Sequence, residues 1–384
     1  MADILTGSRR VYLPQVTEAT YGEGDNNSGV AFILDPTSTN QIRPNVRMLN
    51  DRAHSTGKEF AHKTIPSDIS LESQPLTAPL SPLWWGWLCA FGLGRDTAAT
   101  DGSAYKHAYT MCAATEFPGS FGLLDYLQSG TYNSAIDFAN GGCFLDSFSI
   151  NWGREDLAYA TANIRGSGFL RSPSGSDLDV TEGGLTNLAS QGYVFANKIR
   201  VWIKSNSTEH TTVWGGSFTT ASSAGVFAND PGLATNLSAL AEDFTFTYGN
   251  NFSRNRQGGG SAAAGIYGVQ PKLSRTRQAM LSCNLLQGSS SAFTKLLQSS
   301  LSGNNNEYTI IIEFVTDLLA ASGKYHSGII VLPNAELEAS PASDGSIEDL
   351  RGETLTFYAK ADVTLNPVYA FSTNGISSEF NQAA

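Results

Sequence analysis

The sequence is poor in the side chains from which active sites are built. Its five histidines (His54, His62, His107, His210 and His326) are scattered, and no HxxxH or HxH pair occurs. There is no GxSxG elbow, no GKS/T phosphate loop and no HExxH helix, which leaves hydrolase, nucleotide-binding and zinc-protease readings without a motif. The four cysteines (Cys89, Cys112, Cys143 and Cys283) show no CxxC spacing and sit among apolar neighbours, so they read as buried free thiols made in a reducing cytosol. No long hydrophobic run is present either. The longest, Leu83 to Leu93, is too short to span a bilayer, and the first twenty residues lack the apolar segment of a secretory signal. Without a convergent acid, base and nucleophile set, the expectation is a non-enzyme with no cofactor and no metal.

Charge is also scarce. Asp, Glu, Lys and Arg make up 15% of the chain, low for a free globule and suited to a protein whose faces neighbours cover. What charge there is leans acidic, with a formal net charge of -11. Through Val180 there are 12 Lys and Arg against 19 Asp and Glu, and beyond it 12 against 16. Neither half offers the basic patch that grips nucleic acid. An anionic surface that lets DNA slide past is compatible with this balance.

In abundance are glycine (38 residues), Ser, Thr and Asn, with 41% hydrophobic residues, the mixture of many short strands joined by turns. The polar, turn-rich stretch 1–28 reads as an extended arm. A first unit, 29–171, opens with strands at Val30 and at Ser38 to Met48, then a long polar stretch from Leu49 to Pro66 that reads as an exposed hairpin or loop. Asp68 to Leu76 alternates as a half-buried strand does. Ser81-Pro82 signals a helix start for LWWGWLCAFGLG. Tyr105 to Ala113 follows as a strand, then a variable connection through Asn140. Phe144 to Trp152 and Ala158 to Arg165 form an antiparallel pair. Residues 172–192, rich in Gly, Ser and Asp, read as a linker.

The second unit, 193–375, repeats this grammar: a strand at Asp243 to Tyr248, a polar loop from Gly249 to Gly268 and a strand at Ala279 to Leu286. A helix at Ser290 to Leu301 carries Phe293 and Leu297 on its apolar face. A strand at Tyr308 to Val315 precedes a closing pair, Gly328 to Ala339 with Glu353 to Asp362. Residues 376–384 form a tail. The shared order of elements points to an internal duplication.

Several clusters invite a chemical reading and are better explained without one. His54 and His62 share a loop with Asp51 and Glu59, but their spacing on a flexible loop suits no metal. Asp177, Asp179 and Glu182 miss the EF-hand pattern. Glu155-Asp156 belongs to a solvated turn, and GGGSAAAG lacks the lysine of a phosphate loop. Trp84, Trp85 and Trp87, beside Leu83, Leu88 and Phe91, read as core or subunit interface before a sugar or base platform.

RRVYLPQVTEATYGEGDNNSG followed by TNQIRPNVRMLNDRAHSTGKEF resembles the start of the tail tube (major tail) proteins of long-tailed bacteriophages, in which an E-x-T-Y-G arm leads to a strand and a long charged loop. LWWGWLCAFGLG is similar to the family's short helix, and GIIVLPNAELEA with ETLTFYAKAD to its closing strands. Residues 205–242 depart most from the pattern. The resemblance implies a mainly β fold of two tandem β-sandwich or partial-barrel domains, each with a short flanking helix and a long polar loop. It implies a virion subunit, made in the host bacterial cytoplasm, that assembles with itself into rings stacked as a tube. Ring domains of the family sum to six, so a duplicated chain would form a pseudo-hexameric trimer and an unduplicated one a hexamer; the trimer is favoured. DNA would pass without specific binding, and the tape-measure, tail terminator and baseplate proteins would be partners. The inter-ring contacts expected are Arg9, Arg10, Tyr21, Asp51, Arg52, Lys58, Glu59, Arg254 and Arg256. The alternatives are another virion structural protein, of the head or baseplate, and a carbohydrate-binding adhesin.

Overall fold

The computed structural model describes residues 9–18, 21, 31–34, 36–38, 40–51, 63–113, 116, 118–126, 138–153, 156–170, 186–187, 192–206, 235–239, 241–253, 272–273, 277–286, 307–338, 342–344, 352–361, 366–377 and 379–380. The fold is mainly β. One α-helix is present among the described residues, and 19 strands belong to one hydrogen-bonded sheet built almost entirely of antiparallel ladders.

In the first half the elements are β1 (Arg10–Pro14), β2 (Ala31–Leu34), β3 (Asn45–Asp51), β4 (Lys63–Pro79), α1 (Pro82–Leu93), β5 (Gly94–Asp101), β6 (Ala104–Met111), β7 (Phe121–Tyr126), β8 (Phe138–Trp152), β9 (Tyr159–Leu170) and β10 (Thr186–Asn187). The second half holds β11 (Ile199–Asn206), β12 (Thr235–Asn236), β13 (Ala241–Gly249), β14 (Phe252–Ser253), β15 (Lys272–Leu273), β16 (Gln278–Leu286), β17 (Glu307–Ala321), β18 (Lys324–Leu337), β19 (Ala342–Asp344), β20 (Gly352–Ala359) and β21 (Tyr369–Asn374).

The helix forms where its punctuation predicts. Ser81 is the N-cap, its Oγ accepting the Trp84 amide at 3.2 Å, and Pro82 occupies the first turn, where its missing N–H costs nothing. Gly94 ends the helix with φ 107°, a left-handed geometry that only glycine adopts cheaply, and its amide bonds the Ala90 carbonyl. All twelve helical residues are buried, so α1 is a core element apolar on every side. Its two internal glycines serve close packing. A Cβ on Gly92 would lie 2.6 Å from the Phe148 ring, and one on Gly86 2.7 Å from the Tyr109 hydroxyl.

The ladders repeat. In the first half hydrogen bonds link β2 to β1, β1 to β7, β7 to β8, β8 to β9, β9 to β4 and β4 to β3. In the second they link β12 to β11, β11 to β17, β17 to β18, β18 to β20, β20 to β16 and β16 to β13. Taken in chain order, β1, β2, β3, β4, β7, β8 and β9 correspond one for one to β11, β12, β13, β16, β17, β18 and β20. All six ladders of the first set have a counterpart, and all are antiparallel.

The two sets are stitched together rather than strung apart. β13 pairs with β8 from Phe244↔Trp152 to Gly249↔Ser147, and β21 pairs with both β18 and β6. One cluster of buried apolar residues runs from Val11 to Phe380, whereas tandem domains would each carry their own core. Trp85 of α1 meets Phe314 of β17 edge-on at 4.8 Å, so the helix packs against both halves.

Some boundaries differ from the sequence reading. The expected arm contains β1, held between β2 and β7 with Val11 and Leu13 in the core. A five-residue strand flanked by polar turns has too few periods to stand out from its neighbours. Of the two forms expected for 49–66, the ends show the hairpin, Leu49 to Asp51 pairing antiparallel with Ile65 to Lys63. The strand expected at 38–48 begins only at Asn45. The closing strands β18 and β20 share three register positions, because β20 pairs chiefly with β16. β5, β7, β11 and β21 went unread. Most of the linker 172–192, the helix expected at 290–301 and most of the loop 249–268 lie outside the described residues.

Candidate assembly surfaces

Arg9, expected at an inter-ring contact, is turned inward and buried. Its Nε and Nη2 donate to the two Asp125 carboxylate oxygens at 2.9 and 2.6 Å, and Nη1 donates to the Ser38 carbonyl at 2.9 Å. Both side chains are buried, and Asp125 Oδ2 also accepts the Ile42 amide at 2.8 Å. The pair therefore ties the residue before β1 to β7 and to the segment leading into β3. Arg10 is half-buried on β1.

The E-x-T-Y-G stretch is likewise an anchor. Glu18 accepts the Ser120 hydroxyl at 2.7 Å and the Gly142 amide at 2.8 Å, and its own amide bonds the Ser120 carbonyl. Tyr21, partly buried beside it, has its phenol pKa raised by burial first and by the neighbouring Cys143 and Glu18 next. Sequence reasoning missed Glu18. The only available signal was a carboxylate inside an otherwise uncharged run.

Asp51 closes β3, opposite Lys63. Arg52, Lys58, Glu59, Arg254, Arg256, Phe293 and Leu297 lie outside the described residues. Trp84, Trp85 and Trp87 are core: Trp84 and Trp87 stack at 5.3 Å, Trp87 meets Phe91 at 4.6 Å, and the Trp87 indole N–H donates to the Pro14 carbonyl at 2.9 Å. Buried in this way, they offer no platform to a sugar. All four cysteines are free and buried; burial raises the thiol pKa of each, leaving them inert at neutral pH.

Among the described residues, two surfaces stand out for contact with other chains. The first is the edge strand β3, which among the described residues is paired only with β4. Val46 and Met48 alternate along it and are each 50% exposed. Its counterpart β13 has no such edge. There Phe244, Phe246 and Tyr248 face Trp152, Ile150 and Phe148 of β8 in register, with the Phe244 and Trp152 rings stacked at 5.2 Å. An apolar alternation zipped against the other repeat in one half thus stands open in the other.

The second surface is a corner where Lys198 pairs with Asp317 at 2.7 Å and Gly192 lies against Leu318. Tyr193, Phe195, Leu318 and Leu319 are all exposed there.

Among the described residues, no group of three or more His, Cys, Asp and Glu could hold a metal ion, and no helix is long and apolar enough to cross a membrane. A cleft of about 260 Å³ between Trp152, Arg200, Asn236 and Phe244 lies below the usual size of a small-molecule site. The buried pair of Asp96 with His107 is faced by backbone groups and closed to solvent. No family model matches this chain, and no curated protein matches it.

Proposed function

We propose that the chain is a structural subunit of a phage tail tube, assembling with copies of itself into rings that stack around a channel for the genome. The observation that carries this reading is the repeated ladder order, in which one end strand is paired by the other set and its counterpart is not. Within the chain, β13 of the second set is paired by β8 of the first, while among the described residues β3 of the first set has an open edge. An open edge with alternating apolar side chains is a template for another chain. Contacts of this head-to-tail kind generate a closed ring when the rotation permits. Two sets per chain favour three chains per ring, hence six pseudo-equivalent sets. The acidic balance of the chain suits a conduit through which DNA passes without being held. The tape-measure, terminator and baseplate partners, and the virion location, follow from the resemblance of the sequence.

Electron microscopy of the purified chain at rising concentration tests the proposal. Rings or hollow tubes with threefold or pseudo-sixfold end views are the expected result. A chain that stays monomeric at high concentration and low salt, with no rings at any stage, would overturn it.

A further inference from the structure

Beyond β21 the chain turns back over the sheet and is held there by an unusual set of contacts. The Phe380 side chain is buried against α1, a Cβ on Gly86 coming within 3.3 Å of its ring. Its amide donates to Asp96 Oδ2 at 2.7 Å. The Glu379 carboxylate accepts the amide of Ala98 at 2.8 Å, and the Glu379 carbonyl accepts the Gln15 side-chain amide at 3.2 Å. Ala98 belongs to β5, whose only strand partner among the described residues is β6. The bond to Glu379 therefore caps an outward-facing amide of an edge strand.

His107 sits at the centre of this arrangement. Its Nδ1 is 2.8 Å from Asp96 Oδ2 and its Nε2 is 2.9 Å from the Ile376 carbonyl, with both side chains of the pair closed to solvent. A carbonyl only accepts, so Nε2 must carry a hydrogen. Nδ1 faces a carboxylate oxygen, so a second hydrogen must lie between the two. It resides on the imidazole or on the carboxyl, and in either case the pair holds one proton more than a neutral imidazole beside a carboxylate. Without that proton two lone pairs oppose each other at hydrogen-bond distance, next to the backbone groups that hold the segment down.

We propose that residues 375–377 and 379–380 form a protonation-dependent clasp: the proton shared by His107 and Asp96 holds them over the outer edge of β5, and its loss releases them and uncovers that edge.

Burial alone pulls the His107 pKa down, but the Asp96 carboxylate and the Ile376 carbonyl outweigh it and set it above the ordinary value. Burial raises the Asp96 carboxyl against the pull of His107. The other titratable groups around the pair are Tyr109 on β6, Cys89 on α1 and Glu379 on the segment itself. Tyr109 and Cys89 have pKa values raised well above their ordinary ones by burial and stay neutral. Because the folded value of His107 is raised, the clasp is fully held below the unfolded value of about 6.5 and is lost as pH rises through the folded one.

Amide hydrogen exchange on the full chain, followed from about pH 6 to 9 and corrected for intrinsic rates, tests this. The amides of Ala98 and Phe380 should lose protection at least about tenfold for each pH unit above the folded pKa, while the core amide of Trp87 keeps its own. The midpoint should coincide with the His107 titration read by NMR in the same unaltered chain. H107Q, which cannot titrate, should flatten the pH dependence, and E379Q, which keeps an acceptor for Ala98, should preserve it. Protection at Ala98 and Phe380 that ignores His107 titration, or that falls only together with Trp87, overturns the clasp.

Discussion

Glu18, Arg9 and Asp125 sit at positions where a buried charge is tolerable only because its partners are fixed. Arg9 contributes two parallel bonds to Asp125 from 116 residues away, which is why nothing local in RRVYLP announces the pair. A free arginine and a buried one look alike in sequence. Removing one partner strands the other in a low-dielectric site, so Arg9→Met should cost about 3–5 kcal/mol in chemical denaturation. A loss below about 1 kcal/mol would place the pair in water instead. Ser81, Pro82 and the apolar run after them were legible, because capping chemistry is local. The glycines inside α1 are poor helix formers, and they are placed where other elements approach closely. At Gly92 an added methyl meets Phe148 without room to yield, so Gly92→Ala should destabilise by about 1–3 kcal/mol, measured by the same unfolding experiment.

At the scale of elements, β4, β8, β9, β13 and β16 are legible because they alternate over several periods, and β2, β6, β17, β18 and β20 also fall where the sequence predicts strands. β1, β7 and β11 lie inside the sheet with a neighbour on each side, and their alternation is short or absent. Strands of that kind look like any brief apolar run. β3 is the opposite case: it alternates, but towards solvent. Val46 and Met48 are half exposed and outside the core, so Val46→Lys should change unfolding stability by no more than about 0.5 kcal/mol. The same substitution places a charge on the open edge, a device proteins use to block edge pairing. Size-exclusion chromatography should then show a monomer where the unaltered chain associates. Unimpaired association of the lysine variant would remove β3 from the interface.

For the molecule as a whole, a shared order of strand types pointed to duplication. The ladder that joins the sets did not appear in the sequence, because the pairing of Phe244 with Trp152 is a matter of register between distant segments. That ladder sets the stoichiometry argument. If β13 on β8 is the contact made within the chain, its equivalent between chains involves β3, and each chain then supplies two positions to the ring. Native mass spectrometry of isolated rings should give three chains, and six chains per ring would mean that the two sets do not act as equivalents. On the proposed reading, stacking is separable from ring closure. The connection between β3 and β4 extends beyond the paired residues, and deleting residues 50–60 trims only the far end of that ladder. Such a chain should still form rings but no longer tubes. Tubes of normal length from the deletion would show that successive rings meet elsewhere, with the exposed corner at Leu318 and Leu319 the next surface to alter.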